Sequence, residues 1–190
     1  MLAVPRYSSS MPVTIVKDYA YCPAIPWIRE VLGYTEPPTP SMETARIDAA
    51  GKEAIAGELG LPRPWRIEVP VRGRSLPLRG VVDIVAGERR LIVVEVKAYR
   101  RRREWSSHFR IQLLVYAYLV NETMGPVREA VLYMPGRVER IPVTRERLEQ
   151  ARRLAEAALA SVEGEEPPRP RQPARKCGYC WYRRVCPSHY

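Results

Sequence analysis

No stretch of the chain approaches the roughly 18 uncharged apolar residues that a membrane-spanning helix requires, so a helical membrane protein is excluded. Met1 to Ser10 hold no basic region followed by an apolar run. No secretory signal is therefore read, and the expected location is the cytoplasm. Lysine is scarce: Lys17, Lys52, Lys97 and Lys176 are four of 31 basic residues. Asn121 is the single asparagine, glutamines are few, and His108 and His189 are the only histidines. This bias fits a GC-rich or thermophilic source. No internal repeat is present.

What is present is a chain of 190 residues with 46% hydrophobic content and a net charge of +10. That length buries a core without staples, and the composition is globular. One domain with a small appended lobe is expected. A basic surface attracts polyanions, of which nucleic acid is the commonest. Thr14 to Tyr21 reads as a helix capped by Thr14, interrupted by Pro23 and Pro26. Ser41 to Leu59 reads as a helix broken by Gly51. Trp65 to Val71 alternates as a half-buried strand. Leu78 to Val85 and Leu91 to Val96 are β-branched strands turning at Gly87 and Glu88. His108 to Glu122, apolar nearly all round, predicts a buried helix. Val127 to Met134 and Arg137 to Val143 form a second hairpin. Thr144 to Val162 is an amphipathic helix, and Glu163 to Arg175 an extended connector. The pattern predicts an α/β domain with a mixed central sheet.

The four cysteines are Cys22, Cys177, Cys180 and Cys186. The last three form C-x2-C-x5-C, and none is left over, so one shared task is expected. A cytoplasmic chain does not rely on disulfides. Zinc sites usually pair two C-x-x-C or Cys/His units. The one-plus-three layout is closer to iron–sulfur ligation by four thiolates. Spacing leaves [4Fe–4S] and [2Fe–2S] both open, and zinc as the alternative.

Asp83 lies in Gly80-Val81-Val82-Asp83-Ile84-Val85, and Glu95 and Lys97 lie in Val93-Val94-Glu95-Val96-Lys97. Isolated charges in apolar strands are costly unless paired or bound to metal. Glu95 and Lys97 share one strand face, and a hairpin brings Asp83 to them. Two carboxylates and an ammonium around one point suit Mg²⁺ or Mn²⁺, which activates water while Lys97 orients it or neutralises charge. The alternative is a buried salt bridge through Lys97. Gln112 and Tyr116, four apart on the buried helix, share a face. They point at that site, or at DNA phosphates, or form a polar pair in the core. Arg100, Arg101, Arg102 and Arg103 follow Lys97, with Trp105 close behind. Basic residues beside aromatics suit single-strand binding; a solvated loop is the alternative.

Asp83, then Glu95-Val96-Lys97, then Gln112-Leu113-Leu114-Val115-Tyr116 resemble the D…ExK…QxxxY order of the PD-(D/E)XK nuclease superfamily and its RecB-like exonucleases. One cysteine before this core and three after it resemble the iron–sulfur members. Chain length and Cys22-Pro23 resemble the CRISPR-associated exonuclease family, the fourth of the core CRISPR-associated proteins. The resemblance implies a restriction-endonuclease-like mixed sheet flanked by helices. It implies a single nuclease domain over 1–190, with an iron–sulfur lobe built from the region around 22 and from 173–190. It implies a metal-dependent exonuclease on single-stranded DNA, trimming ends before the CRISPR integrase inserts them. Asp83, Glu95 and the backbone carbonyl of Val96 would hold Mg²⁺ or Mn²⁺. Lys97 would serve the water, and Gln112 and Tyr116 would support the site or the DNA.

One feature departs from that family: the histidine that usually follows a glycine in the helix before the core is absent. This chain reads Gly51-Lys52-Glu53-Ala54-Ile55, leaving Glu53 and Glu58 as candidate substitutes. Two other functions compete with the exonuclease of CRISPR adaptation. One is a non-catalytic DNA-binding adaptation subunit, and the other a RecB-like repair nuclease outside CRISPR.

Overall fold

A computed structural model describes residues 10–37, 47–98, 107–170 and 173–187. β1 (Met11–Pro12), α1 (Thr14–Tyr21) and α2 (Ala24–Glu30) come first, followed by α3 (Ala49–Glu58). Three strands follow: β2 (Trp65–Arg72), β3 (Leu78–Ala86) and β4 (Leu91–Val96). Then come α4 (Ser107–Thr123), the hairpin β5 (Val127–Met134) and β6 (Arg137–Pro142), and α5 (Arg145–Glu163). α6 (Ala174–Gly178) and a 3-10 turn (Trp181–Val185) complete the order.

Three local expectations are corrected. Thr14 is not the cap of α1: Val13 holds that position, and no side chain bonds the first turn. Pro26 does not break the chain but sits as third residue of α2, where the missing N–H would have no helical partner anyway. Of the helix expected over Ser41 to Leu59, residues 41–46 lie outside the described residues; α3 starts at Ala49 and runs unbroken through Gly51, because Asp48 is extended and its carboxylate accepts from the Gly51 N–H as a side-chain cap. Thr144 does cap α5, accepting from the Arg147 N–H.

The sheet is mixed. Its main order is β1-β3-β4-β5-β6, with β2 also paired to β3. β3–β4, β2–β3 and β5–β6 are antiparallel, whereas β4–β5 and β1–β3 are parallel. The parallel β4–β5 pair needs a crossover, and α4 supplies it. Side chains alternate along β4 and β5 as the pleat requires. Leu91, Val93, Ala130 and Leu132 join the large core under α1, α4 and α5. Ile92, Val94, Val131 and Tyr133 join a smaller core with Ile55 and Ala56 of α3.

The β2–β3 ribbon breaks this alternation at one place. Trp65, Ile67, Ile84 and Ala86 pack with the smaller core, yet Val69, Val71, Leu78 and Val82 pack with the larger. Both strands change faces between the pairs Ile67–Ile84 and Val69–Val82. The residues at the crossing are Glu68 and Asp83, and Glu68 holds a left-handed backbone with φ of 53°. A third core joins Cys22, Ala24, Ile25, Trp27 and Ile28 to Tyr182, with Cys180, Val185 and Cys186 against it. The tail is thereby packed on α2, and α2 is tied to the end of α5 by Trp27 Nε1–H donating to the Gly164 carbonyl at 2.9 Å.

Candidate active site

The β3–β4 ladder runs from Ala86–Ile92 to Ile84–Val94. Beyond it the Val96 N–H donates to Asp83 Oδ2 at 2.8 Å. A side chain thus takes the place of a backbone acceptor, and Asp83 is fixed beside Glu95 and Val96. β3 must be apolar to enter the core, so a carboxylate there is positioned by its neighbours rather than by solvent.

Glu95 is 5% exposed. Its Oε1 accepts from Lys97 Nζ at 2.6 Å, and that ammonium also stands 4.9 Å from the centre of the Phe109 ring. Burial pushes the Glu95 carboxyl above its ordinary range, Lys97 pulls it back, and the Asp83 charge adds to the rise. Tyr116 and Gln112 face the same region from α4 and are both buried. Burial, reinforced by the negative charge of Glu95, pushes the Tyr116 phenol up to about 12. The phenol is therefore a hydrogen-bond donor at any working pH. Gln112 hydrogen-bonds Tyr116, while its own Oε1 is buried with no partner among the described residues.

Lys52 and Glu68 are additions that the sequence reading missed. Lys52 Nζ lies 2.9 Å from Asp83 Oδ1 and 2.9 Å from Glu68 Oε1. Burial alone would lower the Lys52 pKa, but the bonds to Glu68 and Asp83 outweigh it and hold the ammonium raised. Glu53 and Glu58 do not take this place. Glu53 is exposed, and Glu58 accepts from the Tyr133 hydroxyl at 2.9 Å. Lys52 reads as an ordinary helical lysine in sequence. Its only signal was its position beside Gly51, next to the missing histidine.

Among the described residues, no three His, Cys, Asp or Glu side chains converge closely enough to hold an ion as they stand. The donor chemistry nevertheless fits one. Asp83 and Glu95 offer hard oxygens suited to Mg²⁺ or Mn²⁺, and the unpaired Gln112 Oε1 is a further acceptor nearby. The four cysteines line one pocket, with Ile25, Ile28 and Tyr182, and all are free thiols. Burial pushes the thiols of Cys22 and Cys180 up. Four thiols on one apolar pocket, linking α1–α2 to the tail, fit a four-thiolate cluster. Arg100, Arg101, Arg102, Arg103 and Trp105 lie outside the described residues, as does His189. No helix among the described residues is long and apolar enough to cross a membrane.

Residues 41–187 match the model of the PD-(D/E)XK nuclease superfamily. The chain is 32% identical over 190 residues to a protein of Aeropyrum pernix named CRISPR-associated exonuclease Cas4, covering 92% of this chain and 94% of that one. It is 31% identical over 181 residues to a protein of the same name from Thermoproteus tenax, covering 93% and 92%. The crystal structure of the protein SSO0001 superposes with a TM-score of 0.58 at 20% identity, over 100% of this chain and 91% of that one. At that identity the likeness speaks for the fold.

Proposed function

We propose, for a chain that belongs to the PD-(D/E)XK nuclease superfamily and within it to the CRISPR-associated exonuclease Cas4 family, that it hydrolyses single-stranded DNA ends during CRISPR adaptation. That the chain is a nuclease follows from the family; nucleases of this superfamily generally use divalent metals. The strand preference, the adaptation role and the partnership with the CRISPR integrase are our reading. The observation that carries it is the meeting of Asp83, Glu95 and Lys97 where the β3–β4 ladder ends.

In this reading Asp83, Glu95 and the backbone carbonyl of Val96 hold Mg²⁺ or Mn²⁺. When bound, the ion supplies a water of lowered pKa and positive charge at the scissile phosphate. Lys97 is restrained by Glu95 on one side and the Phe109 ring on the other. Its ammonium stands ready to orient the attacking water and to offset charge gathering on the phosphate oxygens. Tyr116 keeps its proton and donates a hydrogen bond, and Gln112 fixes the phenol. The water oxygen bonds to phosphorus and gives up a proton to solvent, the P–O bond to the leaving sugar oxygen breaks, and that oxygen takes up a proton from solvent. Arg100, Arg101, Arg102, Arg103 and Trp105 lead in sequence into α4; they are assigned phosphate attraction and base stacking. Cys22, Cys177, Cys180 and Cys186 are assigned an iron–sulfur cluster, within a single domain that includes the tail as its lobe.

The test is cleavage of end-labelled single-stranded DNA with Mn²⁺, alongside thermal melts. Asp83→Ala and Glu95→Ala should abolish cleavage while DNA binding persists, since removing a negative charge does not hinder a polyanion. Lys97→Ala should cut the rate severely with metal binding retained. Active variants with lowered melting temperatures would show a structural ion pair instead, whose disruption costs about 3–5 kcal/mol.

A further inference from the structure

Both oxygens of Asp83 are engaged by the protein itself. Oδ2 accepts from the Val96 N–H at 2.8 Å, and Oδ1 faces the Lys52 ammonium at 2.9 Å. Lys52 is 8% exposed, so this is no passing surface contact. It projects from the first turn of α3, whose start is fixed by the Asp48 cap. On its other side lies Glu68, also at 2.9 Å. Glu68 is the residue directly across from Asp83 in the β2–β3 register, and its pairing is the one interrupted there. Its left-handed φ of 53° is uncommon for a side chain of this kind and marks a position held by its surroundings.

The charges can be counted around this point. Glu68, Asp83 and Glu95 are opposed by Lys52 and Lys97, leaving a single net negative charge. A divalent cation approaching Asp83 therefore meets a resident monovalent cation on the oxygen it needs. Lys52 has a second carboxylate, Glu68, to which it can remain attached if Asp83 is vacated. Glu68 is about half exposed, so its charge is not otherwise required to satisfy a buried partner.

We propose that Lys52 is a resident counter-ion that competes with the divalent metal for Asp83, and that Glu68 is the anchor that holds Lys52 aside once the metal is bound. Lys52 is thus a positioning residue that sets the metal requirement of the site. This rests on the reading of Asp83 and Glu95 as metal ligands. A purely structural Lys52 would lower stability when removed, but would not strengthen metal binding.

The experiment is calorimetric titration of the full-length protein with Mn²⁺ alone, without DNA. Lys52→Gln should bind Mn²⁺ about tenfold more tightly, the order expected for removing a like charge a few ångströms away. Lys52→Arg, which keeps the charge, should bind as the parent does. Glu68→Gln should weaken binding, and should lose that effect when combined with Lys52→Gln, because Glu68 acts through Lys52. Binding by Lys52→Gln that is unchanged or weaker overturns the proposal. Should Lys52→Gln fail to fold, Glu68→Gln decides: Mn²⁺ affinity equal to or above the parent overturns it. Glu95→Ala separates the two levels of inference. If it binds Mn²⁺ like the parent, or the parent binds none, the metal reading of the site falls and this proposal with it. If Glu95→Ala abolishes binding and Lys52→Gln leaves it unaltered, only the counter-ion role falls.

Discussion

Gly80 leaves room for one thing, the ring of Tyr116. A Cβ at position 80 would lie 2.7 Å from Tyr116 Cε1 and 2.8 Å from its hydroxyl oxygen. Gly80→Ala must therefore displace the phenol from β3, and overpacking of this kind costs roughly 1–3 kcal/mol. A lowered melting temperature together with slowed cleavage is expected, and an unchanged melt would show that the ring has somewhere else to go. The phenol also makes a prediction in alkali. Its folded pKa of about 12 lies above the ordinary value of 10.0, so the neutral form is favoured by folding. The stability it contributes is complete below pH 10 and is lost as pH rises towards 12, by about 2–3 kcal/mol. Other buried tyrosines add to the same limb, so the informative quantity is a difference. The gap in stability between parent and Tyr116→Phe should shift against the parent between pH 10 and 12, measured by denaturant melts. At this scale the site was partly legible. Asp83, Glu95 and Lys97 stand out because a charge in an apolar strand demands a partner. Lys52 and Glu68 do not stand out. Glu68 falls on the polar phase of an alternating strand, where a glutamate reads as solvated. Its left-handed backbone is imposed by tertiary structure and leaves no mark in composition.

Elements carry the site through their ends and their twist. Among the described residues, α3 and α5 have side-chain caps of different consequence. Thr144 caps α5, far from the carboxylates, and Asp48 caps α3, which presents Lys52. Thr144→Ala and Asp48→Ala should each cost about 1 kcal/mol. Thermal melts should show similar losses, while Mn²⁺ titration should change only for Asp48→Ala, where the turn holding Lys52 is loosened. Equal metal affinity in both variants would mean that α3 is fixed by packing alone. Strand boundaries were legible: β4 coincides with a β-branched run bounded by turns, and β5 with the strand expected over Val127 to Met134. α4 was legible because its apolar character on all sides demands burial. The exchange of faces in the β2–β3 ribbon was not. Period-two reasoning assumes that a strand keeps one face to one core. Here Ile67 and Val69, two apart, serve different cores, and the site lies at the seam between them.

The whole molecule joins distant parts of the chain at one pocket. Cys22 belongs with the α1–α2 region, and Cys177, Cys180 and Cys186 with the tail. With an iron–sulfur cluster bound there, purified protein should be brown, with visible charge-transfer absorbance; a colourless protein holding stoichiometric zinc would refute the assignment. Cys180→Ala should lower the melting temperature far more than it alters cleavage per folded molecule, because metal binding at such a site is also folding energy. A soluble, cluster-free variant as heat-stable as the parent would remove the structural role. The pocket also has a history within each molecule. A ribosome delivers the chain in order, at about 5–20 residues per second. Cys22 leads Cys177 by 155 positions, and Lys52, Asp83, Glu95, Lys97 and Tyr116 are all made in between. The nascent chain can thus assemble its hydrolytic centre while three of the pocket's four sulfurs do not yet exist. Any loading of the pocket must then come after the proposed hydrolytic centre has been made, and a chain released before Cys177 would carry every charged group of that centre but only one of the pocket's four sulfurs.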